Sequence, residues 1–328
     1  MSKGRIFSGM QPSGKFHLGN YLGALENWVR LQNDYECFFS IVDLHALTSK
    51  FEDTGSLPEN IHHMALDWLS AGLDPERNII FIQSQVKEHH ELHLLLSMMT
   101  PLSWLERVPT YKDKLQQLGA QGKDINTYGF LGYPVLMTAD IVLYKADTVP
   151  VGEDQIPHLE LAREIVRRFN HLYRPVFPEP LAQLSKAPLL PGIDGRKMSK
   201  SYGNEIPYAA SPDEIRGRVR LIVTDPQRVK KSDPGNPAVC TAYKFHEIFN
   251  ASQLDAINAG CRQANIGCVD CKKNLAEQMV VHLADIHVRR DKYAANPARV
   301  KEILFYGAER ARKVAAATME EVRQAMHL

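Results

Sequence analysis

The chain has 328 residues, 44% hydrophobic and 23% charged, which excludes a disordered or fibrous protein and leaves ample length for a core without disulfide staples. Thirty-nine Lys and Arg stand against 38 Asp and Glu, a formal net charge of +1. That sum conceals an asymmetry: residues 1–160 hold 12 cations and 20 anions, whereas residues 161–328 hold 27 and 18, so a polyanionic partner would suit the second half only.

The opening Met1-Ser2-Lys3-Gly4-Arg5 lacks the long h-region of a signal peptide. No apolar run reaches the ~18–20 residues of a membrane span, so a soluble, cytoplasmic protein without a membrane partner is expected. Residues 5–9 read as a short buried strand that breaks into the turn-rich Gln11-Pro12-Ser13-Gly14. Helical periodicity follows over about 18–31, and an apolar strand over 37–42 ends in Asp43-Leu44-His45. Residues 58–71 predict a helix, 78–83 a strand and 89–99 a helix. A helix over 133–144 takes Pro134 in its first turn, a strand covers 148–151, and a helix covers about 154–169. Strands alternating with helices imply a parallel sheet with right-handed crossovers, hence an α/β nucleotide-binding domain. Pro and Gly thicken between 174 and 195, where the first domain is expected to end. From about 211 the pattern is mostly helical, interrupted over 233–271. The expected division is 1–190, a linker over 191–210, and a helical domain over 211–328 whose last helices can return to the first domain.

Two segments suit phosphate chemistry. Gln11-Pro12-Ser13-Gly14-Lys15-Phe16-His17-Leu18-Gly19-Asn20 lies between the first strand and the first helix, where helix N-termini present free N–H groups. Gly14 and Gly19 let main chain approach a ligand, while His17 and Asn20 offer hydrogen bonds to phosphate oxygens. Gly195-Arg196-Lys197-Met198-Ser199-Lys200-Ser201 sets two lysines three apart in a Gly/Ser-rich loop suited to a polyphosphate. Alone, each also reads as an ordinary turn or a solvated basic loop.

A third group points to an aromatic ligand. Tyr133, Met137 and Asp140 are spaced i, i+4, i+7 and share one helix face. An indole needs flat apolar walls and one acceptor, because its nitrogen is only a donor. Asp140 supplies the acceptor and Met137 a soft wall, with Phe7, Val42, Val149 and Val151 as further walls. A plain core explains the apolar members equally well, and a structural ion pair is the alternative for Asp140.

Together, His17-Leu18-Gly19-Asn20 and Lys197-Met198-Ser199-Lys200-Ser201 resemble the two signature elements of class I aminoacyl-tRNA synthetases. Phe7-Ser8-Gly9, Gly19-Asn20-Tyr21, Ile41-Val42-Asp43, Ala139-Asp140-Ile141 and Val149-Pro150-Val151-Gly152-Glu153-Asp154-Gln155 narrow the resemblance to bacterial tryptophanyl-tRNA synthetases. His17 stands where many members carry Thr, Tyr202 where many carry Asp, and residues 190–196 are a less common approach to the lysine loop.

The resemblance implies a Rossmann-like catalytic domain and ligation of L-tryptophan to tRNA(Trp) through tryptophanyl-adenylate, using ATP and Mg²⁺ in a homodimer. It assigns catalysis to Lys197, Lys200, His17 and Lys114. ATP contacts fall to Gln11, Pro12, Ser13, Gly19, Asn20, Gly152, Glu153, Asp154, Leu189 and residues Lys197, Met198, Ser199, Lys200 and Ser201. The amino-acid side takes Phe7, Gln11, Val42, His45, Tyr133, Met137, Asp140, Val149, Val151 and Gln155. The helical domain is expected to bind the tRNA anticodon. Three rivals remain open at the level of sequence: a tyrosine-specific enzyme, a nucleotidyltransferase of another pathway, and a non-catalytic RNA-binding module.

Four of the five cysteines, Cys240, Cys261, Cys268 and Cys271, fall within 32 residues as C-x20-C-x6-C-x2-C. In a cytosolic chain such a cluster reads as metal-binding before disulfide, as tetrahedral zinc or a 4Fe–4S cluster. Zinc ribbons usually pair two short knuckles, and the wide first interval favours iron–sulfur. Some tryptophanyl-tRNA synthetases carry such a cluster on a similar spacing, which this chain resembles.

Overall fold

The computed structural model describes residues 4–109, 111–113, 115, 125–184 and 190–328. Lys114 and Leu189, both expected at the nucleotide, lie outside the described residues. Strands β1 (Arg5–Met10), β2 (Glu36–Ile41), β3 (Ile79–Ile82), β4 (Thr148–Val151) and β5 (Leu181–Leu184) form a parallel sheet in the order β3-β2-β1-β4-β5. Phe7 pairs with Phe38, Phe38 with Ile79, and Thr148 with both Ile6 and Leu181. The chain winds outward from β1 to β3 and then restarts at β4 on the other flank. Strand order therefore reverses between β1 and β4, which opens a crevice beyond their carboxyl ends.

The strands are apolar on both faces because both are covered. Ile6, Cys37, Phe39, Ile41 and Ile80 enter one core; Phe7, Phe38, Ile79 and Phe81 enter the other. Around the sheet pack α1 (residues 18–31), α2 (Asp43–Lys50), α3 (Leu57–Ala71), α4 (Glu88–Met99), α5 (Tyr133–Val142) and α6 (Ile156–Leu172). The middle of α1, Tyr21–Leu25, is π-helical. Beyond β5 follow α7 (Pro212–Arg220), α8 (Thr241–Phe249), α9 (Leu254–Arg262), α10 (Cys268–Ala294) and α11 (Pro297–Met326).

Three local expectations change. The end of β2 turns directly into α2, because the buried Asp43 carboxylate accepts the N–H groups of Leu44 (3.1 Å) and Ser84 (3.0 Å). The edge strand β5 lies inside the stretch taken for a domain end; its sequence Leu-Ala-Gln-Leu has no β-branched residue, and Leu181 and Leu184 are exposed. The supposed interruption over 233–271 holds α8 and α9.

The helical part shares the first part's cores. Trp28, Tyr208, Phe245 and Leu283 belong to one cluster, while Ala311 and Val322 of α11 join the other. Gly307 of α11 lies so close to the Ile80 main chain that no Cβ would fit. Arg310 donates to the carbonyls of Pro75 and Asn78, both at 3.0 Å, and Arg290 of α10 pairs with the buried Asp67 at 2.8 Å. Among the described residues no helix is long and apolar enough to cross a membrane.

Candidate active site

A cavity of about 490 Å³ opens at the reversal point between β1 and β4, within the ~300–1,000 Å³ typical of small-ligand sites. The structure gathers into it all ten side chains expected on the amino-acid side. Phe7 and Gln11 enter from β1 and its turn, Val42 and His45 from the β2–α2 junction, and Tyr133, Met137 and Asp140 from α5. Val149, Val151 and Gln155 close the opposite wall from β4 and its following turn. Sequence reasoning missed Trp28, Thr48, Ser49, Phe130 and His158, which also line it. His158 Nε2 lies 2.6 Å from the Tyr133 hydroxyl. None of the five has a neighbouring motif that would have marked it.

Asp140 is 1% exposed, yet it borders the cavity. His45 Nε2 lies 2.9 Å from its Oδ2, Gln83 Nε2 donates to Oδ1 at 2.7 Å and to Oδ2 at 2.8 Å, and His89 Nδ1 lies 2.7 Å from Oδ1. The His89 contact is bent away from an aligned hydrogen bond. Burial pushes the carboxyl up, but His89 and His45 outweigh it and hold the group well below the usual carboxylate range. The structural pairing and the cavity-facing role therefore coexist in one side chain. Gln83 and His89 carry no spacing signal, since each meets Asp140 only through the fold.

The two phosphate-type segments meet although about 180 residues separate them in sequence. Leu18 N–H donates to the Ile206 carbonyl at 3.0 Å and Tyr208 N–H to the Phe16 carbonyl at 2.9 Å. Lys200 Nζ donates to the Ser13 carbonyl at 3.3 Å. Gly14, at φ +106°, takes the left-handed backbone that brings this turn under the ammonium. Met198 is buried in the core, and a Cβ on Gly19 would meet its sulfur at 3.4 Å and His17 Nδ1 at 3.1 Å. Lys197 projects outward, exposed.

His17 caps the first turn of α1: its Nδ1 accepts from Asn20 N at 3.3 Å, while Asn20 Oδ1 accepts from His17 N at 3.2 Å. Burial, and then the charge of Lys200, lower the His17 pKa to about 4, so the ring is neutral near pH 7. With Nδ1 accepting, the ring proton sits on Nε2 and is available to a ligand oxygen.

The lysine loop depends on Asn204, which the sequence did not flag. Its buried Nδ2 donates to Asp194 Oδ1 (2.7 Å) and to the Lys197 carbonyl (3.1 Å), and its Oδ1 accepts from Ser199 N (2.8 Å). Gly192 approaches this amide too closely for any side chain. Tyr202, the unusual residue at its position, carries the Arg196 guanidinium 4.4 Å above its ring, and Arg196 in turn pairs with Asp194 at 2.7 Å. Across the cleft Gly152 and Asp154 reach the cavity wall; Glu153 opens a short 3₁₀ turn, and Gln155 Nε2 donates to Asp154 Oδ2 at 2.9 Å.

Cys240 precedes α8, Cys261 lies in the last turn of α9, and Cys268 and Cys271 share the first turn of α10. Arg228 Nη1 lies 3.8 Å from both Cys261 Sγ and Cys268 Sγ. A Cβ on Gly235 would meet Cys261 Sγ at 2.5 Å, so this glycine makes room for the thiol. Burial, then the neighbouring Cys240, Cys261 and Cys268, push the Cys271 thiol up to about 12, and its Sγ lies 3.2 Å from His246 Nε2. Among the described residues no three His, Cys, Asp or Glu side chains are gathered to hold a single metal ion.

A parallel sheet with a switch-point cavity and two stitched loops beside it has the architecture of a class I aminoacyl-tRNA synthetase. The profile of "tRNA synthetases class I (W and Y)" matches residues 2–284. The chain is 52% identical to the tryptophan–tRNA ligase of Thermotoga maritima over 327 residues, 99% of each chain, and 41% identical to that of Aquifex aeolicus, covering 99% of this chain and 100% of that one. Its structure matches the Campylobacter jejuni tryptophanyl-tRNA synthetase solved with ADP and tryptophan at a TM-score of 0.90 and 35% identity, over 99% of this chain and 100% of the other. The chain belongs to the class I tryptophanyl- and tyrosyl-tRNA synthetase family, on the branch of the tryptophan–tRNA ligases.

Proposed function

We propose that the chain activates L-tryptophan with ATP and transfers it to tRNA(Trp), with the amino acid in the cavity and the triphosphate under the two loops. The observation that carries this reading is adjacency: a cavity roomy enough for an amino acid, with a buried, ionised Asp140 in its wall, opens beside the seam where Lys200 touches the Ser13 carbonyl. The indole N–H donates to Asp140, between the walls formed by Phe7, Val42, Met137, Val149 and Val151.

In the first step a tryptophan carboxylate oxygen bonds to the α-phosphorus, the bond from that phosphorus to the bridging oxygen breaks, and pyrophosphate leaves. The carboxylate is already ionised at neutral pH, so the protein's work is positioning and charge stabilisation. His17 Nε2–H and Asn20 hold phosphate oxygens, Gly152 and Asp154 the nucleoside side, and Lys197 and Lys200 the departing pyrophosphate with its Mg²⁺. In the second step the 2′-hydroxyl of the terminal tRNA adenosine attacks the adenylate carbonyl and AMP leaves. The tRNA lies along the basic residues 211–328, which form the anticodon-binding part. ATP–pyrophosphate exchange against twenty amino acids tests the reading. Exchange with tryptophan alone supports it, whereas equal exchange with tyrosine, or none, overturns it.

We further propose that Cys240, Cys261, Cys268 and Cys271 hold a 4Fe–4S cluster that braces this part. A single zinc would need four sulfurs about 2.3 Å from one point; a cluster spreads its thiolates over four irons, and Arg228 offsets the thiolate charge. About four irons per chain and a brown anaerobic preparation are expected. One zinc instead would replace the cluster, and no metal would remove it. The exposed row Leu94, Met98 and Leu102 is assigned to a second copy of this chain, and a monomer in sedimentation would refute that. A tRNA substrate supports the expected cytoplasmic location.

A further inference from the structure

Asp140 sits in a buried network that extends well behind the cavity wall. Gln83 and His89 are both fully buried, and neither lines the cavity. The Gln83 amide cannot turn: its Nε2 faces both Asp140 oxygens, while its Oε1 accepts the Leu44 N–H at 3.2 Å in the helix that also carries His45. The His89 ring is fixed at both ends, with Nδ1 at Asp140 Oδ1 and Nε2 2.7 Å from the Tyr144 hydroxyl. Tyr144 is fully buried and stacks on Phe7 and Phe38, with ring centroids at 5.7 and 4.6 Å. Burial raises the phenol pKa well above its usual value, so the hydroxyl keeps its proton. Nδ1, 2.7 Å from the ionised carboxylate, carries the proton of the neutral ring, so Nε2 accepts from the Tyr144 hydroxyl.

The donor count gives these groups a purpose. An ionised carboxylate offers about four lone-pair directions. Gln83 Nε2 donates to both Asp140 oxygens, His45 Nε2 lies 2.9 Å from Oδ2, and His89 Nδ1 lies 2.7 Å from Oδ1 out of line. Asp140 lines the cavity, where a ligand donor would take the acceptor direction these three groups leave.

We propose that Gln83 and His89 are positioning residues that lock the Asp140 carboxylate with one acceptor direction turned to the indole N–H, Tyr144 fixing the His89 tautomer. The inference rests on Asp140 being the acceptor for tryptophan. Because neither residue reaches the ligand, their effect passes through that one hydrogen bond.

A ligand that lacks the N–H separates this from a packing role. Tryptophan is compared with β-(benzothiophen-3-yl)alanine, whose ring sulfur replaces the N–H in a similar bicycle, by pyrophosphate exchange on the full-length protein. Gln83→Met and His89→Leu should each raise KM for tryptophan about tenfold while moving KM for the analogue by less than about twofold, with kcat and the KM for ATP held. His89→Asn, which restores an N–H near Nδ1, should recover most of the loss. Equal shifts for the two ligands, or no shift, would overturn the inference, and the His89→Asn and His89→Leu pair decides it should Gln83→Met not fold. Asp140→Ala, which removes the acceptor, serves as the reference: if it fails to separate the ligands, the Asp140 reading itself is wrong. If it separates them and the Gln83 and His89 variants do not, only the positioning role falls.

Discussion

Asn204→Ala should slow amino-acid activation without altering any group that meets a ligand. The side chain is 2% exposed and ties three points of the lysine loop together. Its bonds to Ser199 N and the Lys197 carbonyl are neutral and internal, worth about 1 kcal/mol each, or about 2 kcal/mol together. The third partner, Asp194, is at the surface and readily resolvated, so it is left out of the sum. About 2 kcal/mol corresponds to a ~30-fold fall in the ratio of the ordered loop to its opened forms. If Lys197 and Lys200 act only from the ordered loop, kcat for pyrophosphate exchange should fall, by up to ~30-fold where opened forms already compete with the ordered loop, with KM for tryptophan within about twofold. The melting temperature should barely move, because a surface loop opens locally. A folded variant with wild-type kcat, or one whose loss lies in tryptophan affinity, would refute the reasoning.

Lys197→Ala and Lys200→Ala should lower the rate of adenylate formation more than tryptophan binding, as single-turnover kinetics beside equilibrium titration would reveal. Asp140→Ala should cost ~10–150-fold in kcat/KM for tryptophan, the value of a hydrogen bond to a charged partner, and unchanged kcat/KM would leave it a structural group only. His17 is held neutral in the fold, with its pKa lowered to about 4, so the unfolded chain binds its proton first as pH falls. Stability should therefore drop between about pH 6.5 and 4 and level off below; in denaturant titrations at pH 7 and 4.5, His17→Gln should lack this part of the drop.

Much of this molecule is legible in its sequence because the signals are local. β3 is wholly apolar, and β1 and β2 send adjacent apolar residues to opposite cores, as a sheet covered on both faces requires. The face of α5 that carries Tyr133, Met137 and Asp140 follows from spacing alone, and the structure turns all three into the cavity. What escaped is non-local. β5 pairs only through Thr148 to Val151, and nothing in Leu-Ala-Gln-Leu announces a strand. Asn204, Gln83 and His89 look like ordinary polar residues until the fold brings Asp194, Lys197 and Asp140 to them. Gly307 looks like a flaw in a long helix until Ile80 is found against it.

The electrostatics of the two loops explain why they are joined by main chain rather than by ion pairs. His17 and Lys200 both have lowered pKa values, each first from burial and next from a neighbouring cation, Lys200 for His17 and Lys50 for Lys200. Glu205 acts in the opposite sense on both, as the third cause in each case. Lys50 and Lys200 repel one another and the His17 ring is neutral, so no ion pair draws the loops together, and the bonds from Leu18 to Ile206 and from Tyr208 to Phe16 hold them in place. A polyphosphate entering this seam reverses the balance, since each added negative charge relieves the repulsion and favours the protonated lysine. The relief grows with charge on the bridging and terminal oxygens, and pyrophosphate gains that charge as its bond to the α-phosphorus breaks. On the proposed reading, Lys200 under this repulsion would hold the separating pyrophosphate more tightly than intact ATP, the differential on which rate acceleration depends.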